Sequence, residues 1–134
     1  MKKMILILTL ASILFLNLHG QTAEEYLGRG LSKIELKDYR GAIADYNKAI
    51  ELNSNDAVAY FNRGLSKSNL EDDRGAIADY TKAIELNPNF AQAYLNRGLA
   101  KININQTDSG CLDLSKAGEL GYEIAYEAIK NFCK

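Results

Sequence analysis

Few residues of this 134-residue chain could do covalent or metal chemistry: His19, Cys111, Cys133 and the acidic run Glu71, Asp72, Asp73. A thiol beside an imidazole makes a nucleophile pair, and imidazole, thiolate and carboxylate ligands hold metals. Their spacing supports neither use. His19 is the single histidine and lies in an apolar leader. Two cysteines cannot build a four-cysteine zinc site, and they stand too far apart for a CxxC redox pair. The acidic run lacks the alternation of a calcium loop and suits the start of a helix, where carboxylates accept from free backbone N–H groups. "GRGL" at Gly28 to Leu31 is too short for a phosphate-binding loop, and neither GxxxxGK[ST] nor GxGxxG occurs. "NQT" at Asn105 to Thr107 is a glycosylation acceptor only in a eukaryotic secretory pathway. The expectation is a protein that is not an enzyme and carries no cofactor or metal.

The leader, residues 1–20, opens with Lys2 and Lys3, runs apolar from Met4 to Leu18 and ends at Gly20. That order is the pattern of a secretory signal peptide, and the apolar run is shorter than the ~20 residues that span a bilayer. Cleavage after Gly20 would export residues 21–134 to a periplasmic or extracellular space; an uncleaved membrane anchor is the alternative. Without the leader 14 basic residues face 17 acidic ones, a net charge of −3. Mild acidity with interspersed signs gives no reason to bind nucleic acid, and no basic tract offers a lipid-binding patch. In an oxidising compartment Cys111 and Cys133 invite a disulfide closing a loop of about 22 residues, which the chain-entropy model values at about 3 kcal/mol. The alternative is a pair of buried thiols acting as small apolar residues.

The elements that position these residues repeat. "RGAIADYNKAIELN" at 40–53 returns as "RGAIADYTKAIELN" at 74–87, changed only where Thr81 replaces Asn47. Tyr26, Tyr60 and Tyr94 keep the same 34-residue spacing, as do Gly30, Gly64 and Gly98. Three units follow, 23–56, 57–90 and 91–124, each with two helical patterns. In the second, Tyr60, Gly64 and Leu65 recur at helical spacing, then Ala76, Ile77, Tyr80, Ala83 and Ile84 form one apolar stripe. Asp72 is the expected N-cap between them, and Pro88 ends the unit. A mid-helix glycine costs about 1 kcal/mol against alanine, so three of them call for close helix approach. Gly64 is expected to face Ala76 and Ala83, Gly30 to face Ala42 and Ala49, and Gly98 to face Gly110 and Ala117. Gly121 stops the last full pair. A cap helix follows over 123–132, with Ile124, Ala128 and Phe132 on one face, Ala125 and Ile129 beside it, and Phe132 at the place of the earlier glycines. Arg29, Arg63 and Arg97 recur with Asp45, Asp79 and Asp113. They either pair between helices or are independent solvated charges.

These residues resemble the tetratricopeptide repeat, a helix–turn–helix unit of ~34 residues. The second unit carries the family's aromatic, small and proline places as Tyr60, Gly64, Ala76, Tyr80, Ala83 and Pro88. Ser54 replaces the proline in the first unit, and Leu114 replaces an aromatic in the third. Lys33, Lys67 and Lys101 stand where the family prefers a large apolar residue, and the three arginines where it prefers leucine. The resemblance implies an all-α fold, an α-solenoid of three units plus a capping helix, with the first helix of each unit lining a concave groove. Leu27, Leu31, Phe61, Leu65, Leu95 and Leu99 would then offer apolar seats. Asn62 and Asn96, with Asn69 and Asn103 further along, would offer amides to a ligand's backbone. One branch of the family clamps a terminal carboxylate with two lysines, an arginine and two asparagines. The matching residues here are Leu27, Leu31, Asn62, Gln92 and Asn96, so that clamp is absent and a more apolar groove is expected. The implied partner is a peptide segment or helix of another protein. The alternative is a structural subunit whose groove is filled by self-association into a homo-oligomer.

Overall fold

The computed structural model describes residues 1–9 and 20–134. Residues 2–9 are helical. Half of the expected leader, residues 10–19 with His19, lies outside the described residues. Among the described residues no helix is long and apolar enough to cross a membrane. Seven helices follow: α1 (Ala23–Glu35), α2 (Tyr39–Leu52), α3 (Ala57–Asn69), α4 (Asp73–Leu86), α5 (Ala91–Asn103), α6 (Thr107–Glu119) and α7 (Ile124–Phe132). The fold is all-α. Each 34-residue unit supplies one hairpin, α1–α2, α3–α4 and α5–α6; each hairpin packs on the next, and α7 closes on α6.

Local chemistry sets the ends of these helices. Thr22 and Glu25 form a reciprocal capping box on α1, with both bonds at 3.2 Å. Asp38 and Asp72 accept from the amides of Gly41 and Gly75 at 3.0 and 2.9 Å, which makes Asp72 the N-cap the sequence suggests. Asp73 lies in the first turn of α4 and accepts from the Ser68 hydroxyl. The acidic run thus starts a helix. Each hairpin turn closes on a residue with positive φ at one recurring place: Lys37 (59°), Glu71 (64°) and Asn105 (66°). The following amide reaches back to the Lys33, Lys67 or Lys101 carbonyl at 2.8, 2.9 and 2.8 Å, satisfying an otherwise free helix end.

The glycines permit close packing, but in the first two units their partner differs from the expected alanines. A Cβ on Gly30 would stand 2.7 Å from the Tyr46 ring, and one on Gly64 2.7 Å from the Tyr80 ring. The rings are the large buried side chains of these units, and Ala42, Ala49, Ala76 and Ala83 are buried beside them. The third unit has Leu114 in place of the ring, and there Gly98 does meet Gly110. A Cβ on Gly98 would lie 2.8 Å from the Gly110 carbonyl oxygen, and one on Gly110 2.7 Å from that of Gly98. Ala117 is fully buried in the same layer.

The two tyrosines differ in their hydroxyls. The Tyr80 hydroxyl has the Ser68 side chain near it and is not an enclosed unpaired group. The equivalent residue in the first unit is Ile34, and among the described residues the buried Tyr46 hydroxyl has no partner. Burial, with the Asp45 carboxylate second, pushes the Tyr46 phenol up to about 12. An unpaired buried hydroxyl costs about 1–3 kcal/mol, while a made hydrogen bond contributes about 1 kcal/mol. In urea unfolding, Tyr46→Phe is expected to leave stability unchanged or raise it by about 1 kcal/mol. The fold favours the neutral phenol, so the Tyr46 contribution is full below pH 10 and is lost as pH rises towards 12. Tyr46→Phe should blunt that alkaline loss.

At the C-terminal end Gly121, with φ of 92°, stops α6 as expected, and Cys111 and Cys133 are joined in a disulfide. The cap helix turns differently from the expectation. Ala125 is its fully buried residue, whereas Ile124 and Phe132 are largely exposed. Ala125 and Tyr126 repeat the pairs Ala59–Tyr60 and Ala93–Tyr94, and Ala59 and Ala93 are likewise 0% exposed. α7 therefore sits two residues out of the 34-residue period, and Phe132 does not take the glycine place. The Tyr126 ring lies over Gly118, where a Cβ would come within 2.8 Å.

Candidate functional site

The first helices of successive units touch, α1 with α3 and α3 with α5, more extensively than the second helices do. In a curved stack the elements that approach one another lie on the inner side, so α1, α3 and α5 form the inner wall.

On α1 and α3, Leu31 is 46% exposed, and Leu27 and Leu65 are partly buried. Leu95, Asn96 and Leu99 on α5 are partly buried too. Leu31, Leu65 and Leu99 are one repeat apart and form a ladder across the three helices. Phe61 does not belong to this accessible row. It is 8% exposed, with ring centroids 4.7 Å from Phe90 and 5.8 Å from Tyr80, so it is core. An aromatic beside two other rings gains more from burial than a solvent-facing seat would give it. Val58, half exposed on α3, was not singled out from the sequence, although it occupies a place the family turns inward.

The asparagines differ from one another. The Asn96 amide donates to the Gln92 carbonyl at 2.8 Å, and Asn69 donates to that of Leu65 at 2.9 Å. Both are partly engaged within their own helix. Asn62 is 8% exposed, and among the described residues its side-chain amide makes no hydrogen bond. The residue is mostly covered while its amide atoms are not enclosed, so they form an open hydrogen-bonding position.

The recurrent charges pair in every unit. Arg63 Nε and Nη2 grip the Asp79 carboxylate at 2.9 and 2.6 Å, and Arg97 grips Asp113 at 2.8 and 2.7 Å. Arg29 reaches Asp45 at 3.0 Å. The lysines join the same carboxylates, Lys33 at 2.7 Å and Lys67 and Lys101 at 2.8 Å. Each guanidinium lies over the tyrosine one turn earlier in its helix, at 5.3–5.5 Å. The third nitrogen crosses between units: Arg63 Nη1 donates to Asn47 Oδ1 at 2.9 Å, and Arg97 Nη1 to Thr81 Oγ1 at 3.1 Å. The single change between the two copied stretches is thus an exchange of one acceptor for another. In the first unit Arg29 Nη1 donates to Gln21 Oε1 at 2.6 Å. The departures from the family pattern are explained by this cluster: arginine and lysine neutralise a buried aspartate, and these cations are held between helices.

Family patterns described as TPR repeat and tetratricopeptide repeat match this chain over residues 30–71, 57–90 and 79–111. The crystal structure of MamA is similar at 30% identity and a TM-score of 0.73, over 78% of this chain and 61% of that one. The chain thus spans less than two thirds of that protein's length. The TPR2B domain of yeast Sti1, solved in complex with pHsp70, is 30% identical with a TM-score of 0.72, over 81% of this chain and 87% of that one. The Arabidopsis OM64 TPR domain is 25% identical with a TM-score of 0.77, over 82% of this chain and 95% of that one. No curated protein matches the sequence.

Proposed function

Because the chain belongs to the tetratricopeptide repeat family, we propose that it is a non-enzymatic interaction module that holds a short segment of another protein along α1, α3 and α5. The carrying observation is the open Asn62 amide beside the ladder of Leu31, Leu65 and Leu99. An extended segment has backbone N–H and C=O groups to satisfy, and an amide side chain meets both. The leucines take its apolar side chains. The solved complex of the Sti1 domain supports a binding role for this fold. The guest differs from a carboxylate-ended one. Leu27 and Leu31 stand where a clamp needs cations, and the nearby Lys33, Lys67, Arg63 and Arg97 are committed to buried aspartates. The preferred guest is an uncharged, leucine-type segment.

Peptides selected from a display library on the wild-type protein provide the probe. Asn62→Ala with Asn96→Ala should weaken their binding about 10–100-fold, the loss of one to two hydrogen bonds, while thermal unfolding stays within a few degrees of wild type. Unchanged affinity of the double variant removes Asn62 and Asn96 from the site. A stable dimer in solution whose inner-wall amides are protected would instead make a second copy the occupant.

A further inference from the structure

We propose that the Cys111–Cys133 disulfide is a thiol-operated latch: its reduction releases α7 from the end of the stack while the three hairpins stay folded.

Three observations meet at this place. First, α7 is held on α6 by a short apolar face together with the bridge. It has nine residues, its N-cap Glu123 makes no side-chain capping bond, and Ala125 is its one fully buried residue. Isolated helices shorter than ~12–15 residues are marginal in water, so α7 depends on its attachments. Those attachments are buried Ala125 with half-buried Ala128 and Ile129, the Tyr126 ring over Gly118, the chain through Gly121, and the bridge from its C-cap residue Cys133 to Cys111 on α6. Second, the bridge is approachable. Both cysteines are partly exposed and line an open cleft with Thr107, Asp108, Leu112, Ser115 and Lys134. Asp108 and Lys134 balance each other in charge at that cleft, so an attacking thiolate is not repelled from it. Third, the bridge ties only α6 to α7. The hairpins are held by separate layers, the Tyr46, Tyr80 and Leu114 packing and the arginine–aspartate clusters, none of which involves α7.

The chemistry balances with a dithiol as co-reactant. Its first thiolate attacks one bridge sulfur, the bridge bond breaks, and a mixed disulfide forms. Its second thiol displaces that sulfur, leaving the dithiol oxidised to a disulfide and both cysteines as thiols, with two electrons and two protons transferred. Released, α7 loses the constraint that held its C-terminal end, and the end of α6 around Ala117 and Gly118 is uncovered.

Hydrogen exchange read by mass spectrometry, on the full chain with and without dithiothreitol, decides this. Amides of 124–132 should exchange about 100-fold faster after reduction, the factor matching the loop-closure constraint removed. Amides of α3 and α4 should stay within a few-fold. Cys111→Ser with Cys133→Ser should reproduce the fast α7 exchange without reductant. If α7 exchange is unchanged by reduction, or if all seven helices accelerate together, the latch is overturned: the bridge is then idle in the first case and a staple of the whole domain in the second.

Discussion

Gly98→Ala is expected to destabilise the protein by about 2–3 kcal/mol, although alanine is the better helix former by about 1 kcal/mol. The new methyl would stand 2.8 Å from the Gly110 carbonyl oxygen and 3.0 Å from Leu114. A flexible side chain can move by some tenths of an ångström at little cost, but a helix backbone carries its whole hairpin with it. α5 and α6 must therefore part, and the layer containing Ala117 loses contact. Gly28→Ala on α1 is the control. Nothing lies within 4 Å of a Cβ there, so propensity acts alone and stability should rise by about 1 kcal/mol. In thermal unfolding the two substitutions should shift the midpoint in opposite directions, by several degrees each. Equal shifts of the same sign would remove close helix approach from the account.

Asp79→Ala should cost about 3–5 kcal/mol, the loss expected when one partner of a buried ion cluster is removed. Asp79 is 3% exposed, and both Arg63 and Lys67 point at it from partly buried positions. Without the carboxylate two cations remain between α3 and α4, and Arg63 keeps Asn47 and the Tyr60 ring but no counter-charge. Asp45→Ala is expected to cost less, about 1–2 kcal/mol, because the Arg29 side chain is 46% exposed and can turn to water. The effect should thus grow from the first unit to the second although the sequence motif is the same. A variant carrying Arg63→Met, Lys67→Met and Asp79→Leu should recover much of the loss, since it leaves no unpaired charge. Urea unfolding of the three proteins measures this; equal losses at Asp45 and Asp79 would show that burial of the cations does not set the cost.

The array was legible because the chain writes it three times: a residue recurring at one place in several copies fixes helix, face and turn together. The arginine–aspartate pairing was one of two open readings, since recurrence of both charges follows from copying whether or not they touch. Gly98 against Gly110 was legible because both are glycines. The partners of Gly30 and Gly64 were not, because pairing small with small overlooks that a ring at Tyr46 or Tyr80 fills the space a missing Cβ leaves. The signal was present: the third unit gives up its aromatic for Leu114 and gains Gly110 at the same time. The left-handed residues Lys37 and Glu71 carry no sequence signal, since neither type favours that conformation; Asn105 alone does. The rotation of α7 was hidden because the period slips by two residues in the turn after α6, and a strict count of 34 carried Phe132 to the wrong place. Within the candidate site, Leu31 and Asn62 follow from register, but the withdrawal of Phe61 into the core depends on Phe90, a residue of the next turn.

On the proposed function, the inner wall formed by α1, α3 and α5 receives an extended segment of another protein. Backbone amide NMR of the protein titrated with a library-selected peptide addresses it most directly. Saturable shifts are expected, concentrated at Leu31, Asn62, Leu65, Asn96 and Leu99, with α2, α4 and α6 little changed. Shifts concentrated on the second helices, or the same shifts with a peptide of scrambled sequence, would contradict it.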